Sequence, residues 1–528
     1  MNQFRSWASF IASSPSGQVR HTFITSSCHR RRKGGAVGYH TERIVMNRTS
    51  RKYRKALLVT VSNMRHAQAV YNTALFHMRN LFTGLRKDEG ARTENEREVI
   101  GNVTAAITEI NDKRAGKDKA PWSFPSPEQP YLSLYQWTTV MTRILKKSLP
   151  RPETFYSKLE QQVVLAAGRN MKSFVSALKD YGIHPEKYHG RPKLPGYLKS
   201  GTFTLTYDCQ MVTCGGDGRH RWLEPKGTGV RIPTGRKEYS GIADIKLRWQ
   251  CGRIIASVCM KECGENSAPE GKTSAAAGTG SACIPECGIH FRAVRGLDYD
   301  RMLGIDPGIG NFMTVVPGFG ENPFIIRGGK LKSVNQYYNK RHAEIRGRLK
   351  KDHNRDTCRR LDRISALRED YIYNYFHQAA ALIVNYALQE RAGTIVIGRN
   401  TGWKQESGLG RTGNQNFVMI PHARFIRMLK DRAEREGIRV ILQEESYTSR
   451  ASSLDRDRIP VYGKEKSGED PAVFSGKRIH RGLYVSGKGI RINADVNGAA
   501  NILRKYKETA LQADTAYLYR TVEMKNAA

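Results

Sequence analysis

A chain of 528 residues exceeds what one hydrophobic core ordinarily serves, so two or three domains are expected, and an apolar fraction of 39% is enough to build them. Its 87 Lys and Arg against 49 Asp and Glu leave a formal net charge of +38, which repels itself unless a polyanion lies against it; a nucleic acid is the implied partner. No apolar run reaches the roughly 20 residues of a membrane helix, and 9 cysteines, an odd number in so long a chain, do not make a disulfide scaffold and suit a reducing compartment.

Residues 1–41 hold no acidic side chain and include the cluster His29-Arg30-Arg31-Arg32-Lys33. The segment 1–45 is expected to be a disordered basic arm or a start placed too early, with Met46 opening the folded protein; a transit peptide has the same composition. Apolar residues at helical spacing predict a helix over 65–85 and more helix up to Pro121, and 153–181 reads as a helical hairpin. Together they make a mainly helical region over 46–199. The turn-rich run Gly190-Arg191-Pro192-Lys193-Leu194-Pro195-Gly196 closes it.

From 200 to 300 the pattern becomes β-rich. Strands are expected at Phe203–Tyr207, Gly229–Ile232, Asp244–Arg248 and Ile254–Val258, forming a small barrel-like domain interrupted by a Gly/Ser/Ala-rich loop at 264–282. Cys259, Cys263, Cys283 and Cys287 stand in two pairs at a spacing zinc accepts, although plain thiols are the simpler reading. Residues 301–510 then give three strands (302–306, 311–316, 323–327), two helices (332–352, 358–390), a strand at 394–397, a helix at 421–436, a strand at 438–444 and a last helix from about Asn493, ahead of a tail at 511–528. The order β-β-β-α-β-α-β-α is that of an RNase H-like domain.

Two acidic motifs fall where such a sheet would gather metal ligands. Asp306 ends the first strand in Leu303-Gly304-Ile305-Asp306-Pro307-Gly308, and Asp495 opens the last helix in Asn493-Ala494-Asp495-Val496-Asn497-Gly498. Alone, the first is an ordinary turn former and the second a first-turn acid favoured by the helix dipole. Paired at this topological distance, they suit Mg²⁺ or Mn²⁺, which take oxygen ligands and in twos hydrolyse phosphodiesters.

These motifs, with Thr394-Ile395-Val396-Ile397-Gly398, Gly402-Trp403-Lys404-Gln405, Glu445-Ser446-Tyr447-Thr448-Ser449, Gly476-Lys477-Arg478-Ile479 and the earlier GRPKLPGY at 190–197, resemble the TnpB (OrfB) family of transposon-encoded proteins over about 55–507. The resemblance implies an α/β multidomain fold: a helical recognition lobe, a β-barrel-like wedge domain and an RNase H-like RuvC nuclease domain. It implies an RNA-guided DNA endonuclease of a bacterial cytoplasm, nucleoid-associated. Its guide RNA would come from the transposon end, and it would cut double-stranded DNA beside a short adjacent motif. The resemblance also accommodates a nuclease-inactive RNA-guided repressor, or a transposase acting directly in strand transfer. It does not decide between monomer and dimer.

The sequence departs from the family pattern twice. Many relatives carry a glutamate directly after the fourth strand, where Gly398 stands here. A subgroup, and the eukaryotic Fanzor relatives, move it to the next strand's end; the spacing E-x-x-T-S selects Glu445 as the third catalytic and Mg²⁺-binding residue, with Glu444 as the alternative ligand. Adjacent parallel strands about 4.8 Å apart make the move feasible, and alternation lets only one of the two glutamates serve. Residues 449–494 contain no cysteine, so the family's structural zinc ribbon is absent, and packing of Leu454, Val461, Tyr462, Phe474 and Leu483 should replace it. Lys404, Arg341, Arg346, Arg348, Lys350, Lys477 and Arg478 are the expected nucleic-acid contacts.

Overall fold

The computed structural model describes residues 39–46, 54–199, 203–217, 220–235, 241–261, 296–399, 420–461, 473–480, 482–512, 514–520 and 522–527. The chain divides into two compact units, the first built on residues 42–261 and the second on 287–528.

The first unit begins with β1 (Tyr39–Met46), inside the segment expected to be a basic arm. Ile44 and Met46 join the core, but Glu42, Arg43 and Val45 are buried as well, so the sequence carries no apolar–polar alternation to mark the strand. Four helices follow: α1 (Arg54–Gly84), α2 (Glu94–Ala115), α3 (Leu134–Ser148) and α4 (Ser157–Ile183). Val99, Val103, Ala106, Ile107 and Ile110 form the buried stripe of α2. Capping boxes start two of these helices, Thr93 with Glu96 and Ser133 with Gln136. The expected hairpin over 153–181 is instead the single helix α4. Gly168 does not break it, but marks a close approach: a Cβ there would lie 2.7 Å from Leu134 Cδ2.

The strands of this unit are β2 (Leu205–Asp208), β3 (Val212–Gly215), β4 (Arg221–Pro225), β5 (Ile232–Gly235), β6 (Ile242–Gln250) and β7 (Arg253–Lys261). They form one sheet of order β1-β7-β6-β2 and a second of order β3-β4-β5. The strand expected at Gly229–Ile232 starts at Ile232, because Gly227 (φ 79°) and Gly229 (φ 60°) turn the chain first. One continuous core runs from Met64, Leu75 and Val164 in the helices to Leu205, Ile245 and Val258 in the strands.

The second unit holds β8 (Asp298–Pro307), β9 (Asn311–Pro317), β10 (Phe324–Arg327), α5 (Gly329–His353), α6 (Arg359–Gln389), β11 (Ala392–Gly398), α7 (His422–Arg435), β12 (Arg439–Gln443), β13 (Lys477–His480), β14 (Leu483–Val485), β15 (Arg491–Asn493), α8 (Ala494–Tyr506) and β16 (Glu523–Lys525). Its main sheet has the order β12-β11-β8-β9-β10-β16. β8, β9 and β10 pair antiparallel, while β11 and β12 add in parallel on the other side of β8. β16, within the expected tail, pairs in parallel with β10 and covers its edge.

Alternation along the strands feeds two cores. Leu303, Ile305, Ile395 and Ile397 join Phe376 and Ile383 of α6 and Phe425 of α7, whereas Met302, Val316 and Val396 join Ala499, Ile502 and Leu503 of α8. A short sheet β13-β14-β15 precedes α8. Among the described residues no helix is long and apolar enough to cross a membrane.

Candidate carboxylate centre

Asp306 lies at the carboxyl end of β8, beside the end of β11: Ile305 is paired with Ile397, one position before Gly398. Gly398 is in turn paired with Gln443 at the end of β12, two residues before Glu445. The third acid comes from α8, whose N-cap is Asn493. Its side chain accepts from Asp495 N (2.9 Å) and Val496 N (3.2 Å), so Asp495 stands in the first turn.

Small residues let these acids approach. A Cβ on Gly498 would lie 2.8 Å from Asp306 Oδ2, and one on Gly398 2.6 Å from Glu445 Oε2. At Gly304 a Cβ would meet the Ala499 carbonyl oxygen at 2.6 Å, so α8 sits directly on β8.

The charges of the other two acids register on Asp306. Desolvation, then the charges of Glu445 and Asp495, push its carboxyl well above the ordinary range, against a smaller opposing pull from Arg478. Glu445 is raised to about 7 by desolvation and by Glu444, with Lys505 opposing. Asp495 is held on both oxygens: Asn311 Nδ2 donates to Oδ2 at 2.7 Å, and the Arg478 guanidinium lies 3.3 Å from Oδ1. Among the described residues no group of three or more His, Cys, Asp and Glu side chains could hold a metal ion as the side chains stand, with Arg478 drawn to Asp495.

Glu444 faces elsewhere. One oxygen lies 2.5 Å from Lys505 Nζ, and the other accepts from the amide (2.6 Å) and hydroxyl of Ser446. The loop carrying both glutamates is pinned by one face of α8. Asn497 Nδ2 donates to Ala451 O, Asn501 Nδ2 to Thr448 O and Ala451 O, and Arg504 to Ser452 O and Asp457 O.

Beyond the loop, polar bonds stand beside the expected apolar packing, in which Leu454 lies against the α8 core and Phe474 meets Tyr447 with ring centroids 6.1 Å apart. Asp455 accepts from Ser452 Oγ, Ser475 Oγ and Gly487 N, and Asp457 from Ser452 N and Ser475 N. Val461 is 38% exposed, while Tyr484 is fully buried and its hydroxyl donates to Arg450 O. Tyr462 lies outside the described residues.

The expected nucleic-acid contacts fall in different places. Arg341 and Arg348 both pair with Glu344 on α5, and Arg346 pairs with Asp356. Lys350 is exposed on the same helix, Lys477 is exposed on β13, and Arg478 is drawn to Asp495. Lys404, Cys263, Cys283 and Cys287 lie outside the described residues, while Cys259 is on β7. Asn311, Lys505 and the pinning residues of α8 were missed from sequence. Asn311 had a signal in its place just after the Asp306 turn.

Residues 298–404 match the OrfB family model of IS605 elements, described as "Probable transposase", and residues 422–502 match the Cas12f1-like TNB domain. These two segments hold all three acids and the loop between them. Both matches agree with the resemblance to the TnpB (OrfB) family over these residues.

The chain is similar to Cas12f1 in a complex with sgRNA and target DNA, at 13% identity and TM-score 0.40 over 85% of this chain and 82% of that one. It is also similar to a CRISPR-Cas12f ternary complex (11%, TM-score 0.29, 80% and 81%). A third is C2c1 of Alicyclobacillus acidoterrestris with single-guide RNA (10%, TM-score 0.26, 85% and 70%). No curated protein matches.

Proposed function

We propose that the chain is an RNA-guided DNA endonuclease with its nuclease chemistry in an RNase H-like, RuvC-type domain over 301–510. A helical recognition lobe over 46–199 and a β-rich wedge-like domain over 200–300 would hold guide RNA and target. The observation that carries the reading is the grouping of Asp306, Glu445 and Asp495 from β8, the loop after β12, and α8, each admitted by a glycine or a helix terminus.

A buried carboxyl raised by two neighbouring carboxylates, as Asp306 is, is what a divalent cation relieves, so the oxygen donor set suits Mg²⁺ or Mn²⁺. Bound there, the metal would activate water and stabilise the leaving oxygen of a phosphodiester. Asp306, Glu445 and Asp495 would hold it, and Asn311 orients the Asp495 carboxylate from outside. Base pairing with the RNA would choose the target, the protein gripping backbones and reading a short transposon-adjacent motif.

The Arg478–Asp495 pair is the observation favouring a second reading, a nuclease-inactive RNA-guided DNA-binding protein, since it occupies an oxygen a metal would need. Co-purified RNA is sequenced, and plasmids with matched or randomised flanks are incubated with the complex in Mg²⁺. The proposal expects flank-dependent cutting that Asp306→Ala, Glu445→Ala and Asp495→Ala each abolish, with Glu444→Ala the milder of the two glutamate variants. Flank-dependent binding without cutting in any divalent metal would establish the second reading.

A further inference from the structure

We infer that Lys505 is a positioning residue that commits Glu445, and not its neighbour Glu444, to the carboxylate centre. The inference rests on the metal-binding role proposed above and says how the chain chooses between two adjacent glutamates.

Lys505 lies near the end of α8, ten residues beyond Asp495, so about 15 Å separates them along the helix axis. It therefore acts through the loop and not on the reacting atoms. Its side chain is 3% exposed. A buried ammonium persists only where its charge and N–H groups are met. Here Nζ donates to Ser446 O (2.8 Å) and Pro460 O (2.9 Å), and its charge is met by Glu444 Oε2 at 2.5 Å.

The consequences fall on either side of one peptide bond. Glu444 is fixed on both oxygens, by Lys505 and by Ser446. Glu445 has its carbonyl held by Thr448 N (3.3 Å) and Thr448 Oγ1 (2.8 Å), and Tyr447 turns the chain at φ 64°. Its carboxylate lies against Gly398, in the field of Asp306. Without the ammonium, two carboxylates on successive residues would compete for one cation, and the loop would have no reason to present the second.

A lysine serving only as a peg for the loop would hold the same two carbonyls, so the test must separate the ion pair from the peg. Lys505→Gln keeps two N–H donors and removes the charge. The double variant Glu444→Gln/Lys505→Gln also removes the competing carboxylate. Mn²⁺ affinity is measured by electron paramagnetic resonance on the full chain with its co-purified RNA, beside plasmid cleavage and thermal unfolding. Lys505→Gln is expected to weaken Mn²⁺ binding by about tenfold or more, the range found for supporting groups around metal sites. The double variant is expected to recover both affinity and cutting.

Mn²⁺ affinity unchanged in Lys505→Gln, or a double variant as impaired as the single one, overturns the inference and leaves the metal site standing. Mn²⁺ binding that Asp306→Asn does not alter overturns both. Should Lys505→Gln fail to fold, the double variant carries the test: near-native affinity supports the inference and a lasting loss overturns it.

Discussion

A methyl group on Gly398 would lie 2.5 Å from Ile502 Cδ1 and 2.6 Å from Glu445 Oε2, its nearest neighbours both being side-chain atoms. Gly398→Ala is therefore expected to lose stability in the range of about 1–3 kcal/mol that overpacking costs, and to lose cutting out of proportion, because Glu445 must move. Denaturant unfolding beside plasmid cleavage measures both. The same contact explains why a glutamate cannot stand at 398 while Glu445 is in place: the two would claim one space.

The raised carboxyls set a pH dependence of definite sign. Glu445 titrates near 7 in the folded chain, above its ordinary 4.5, so the folded state binds protons the unfolded state has released. Its contribution to stability is full below about 4.5 and is lost as pH rises through 7. Metal reverses this by requiring the deprotonated form, so Mg²⁺ added at pH 6 should release protons, and fewer in Glu445→Gln; calorimetry in buffers of different ionisation enthalpy reads the number.

Asp306 and Asp495 were legible in sequence because glycine-flanked and cap-like motifs carry their positions. Asn311 on Asp495, Arg478 on the same carboxylate and Lys505 under the loop were not. Each is an ordinary polar residue until the fold brings another segment to it, across 184 positions for Asn311.

At the level of elements, α2 shows how local chemistry fixes a helix. Burial alone would raise Glu96, but hydrogen bonds from Lys87 and Thr83, the Thr93 amide and the charge of Lys87 together hold it down at about 2. A depressed carboxyl contributes stability above its unfolded value, and that share is lost as pH falls from about 4.5 towards 2. Glu96→Gln should flatten this acid limb, and Thr93→Ala should cost about 1 kcal/mol, both read from urea unfolding at several pH values.

Helix α8 carries more. Gly498 admits Asp306, and Asn497, Asn501, Arg504 and Lys505 hold the loop that bears Glu445. Gly304→Ala, which drives a Cβ into the Ala499 carbonyl, should disturb all three acids at once and abolish metal binding before it abolishes RNA binding.

The long elements were readable from periodicity, since α5, α6, α7 and β8 to β12 fall within a few residues of expectation. β16 was not: Glu523-Met524-Lys525 has no apolar alternation and is a strand only because β10 offers it a free edge.

For the whole molecule the governing quantity is the charge of +38. Affinity for RNA should fall by on the order of 10³-fold or more between about 50 and 200 mM salt, and bound RNA should raise the melting temperature by relieving self-repulsion; filter binding and thermal scans across a salt series test both. The placement of β16 and α8 has a consequence for synthesis. The strand that seals the sheet and the helix that brings Asp495 and grips the Glu445 loop both follow residue 493. A ribosome that has translated the first 490 residues has made β8 to β12 but no carboxylate centre. Nascent chains, and any fragment arrested before Ala494, should thus be unable to nick the template from which they are expressed, while leaving the β10 edge open to aggregation.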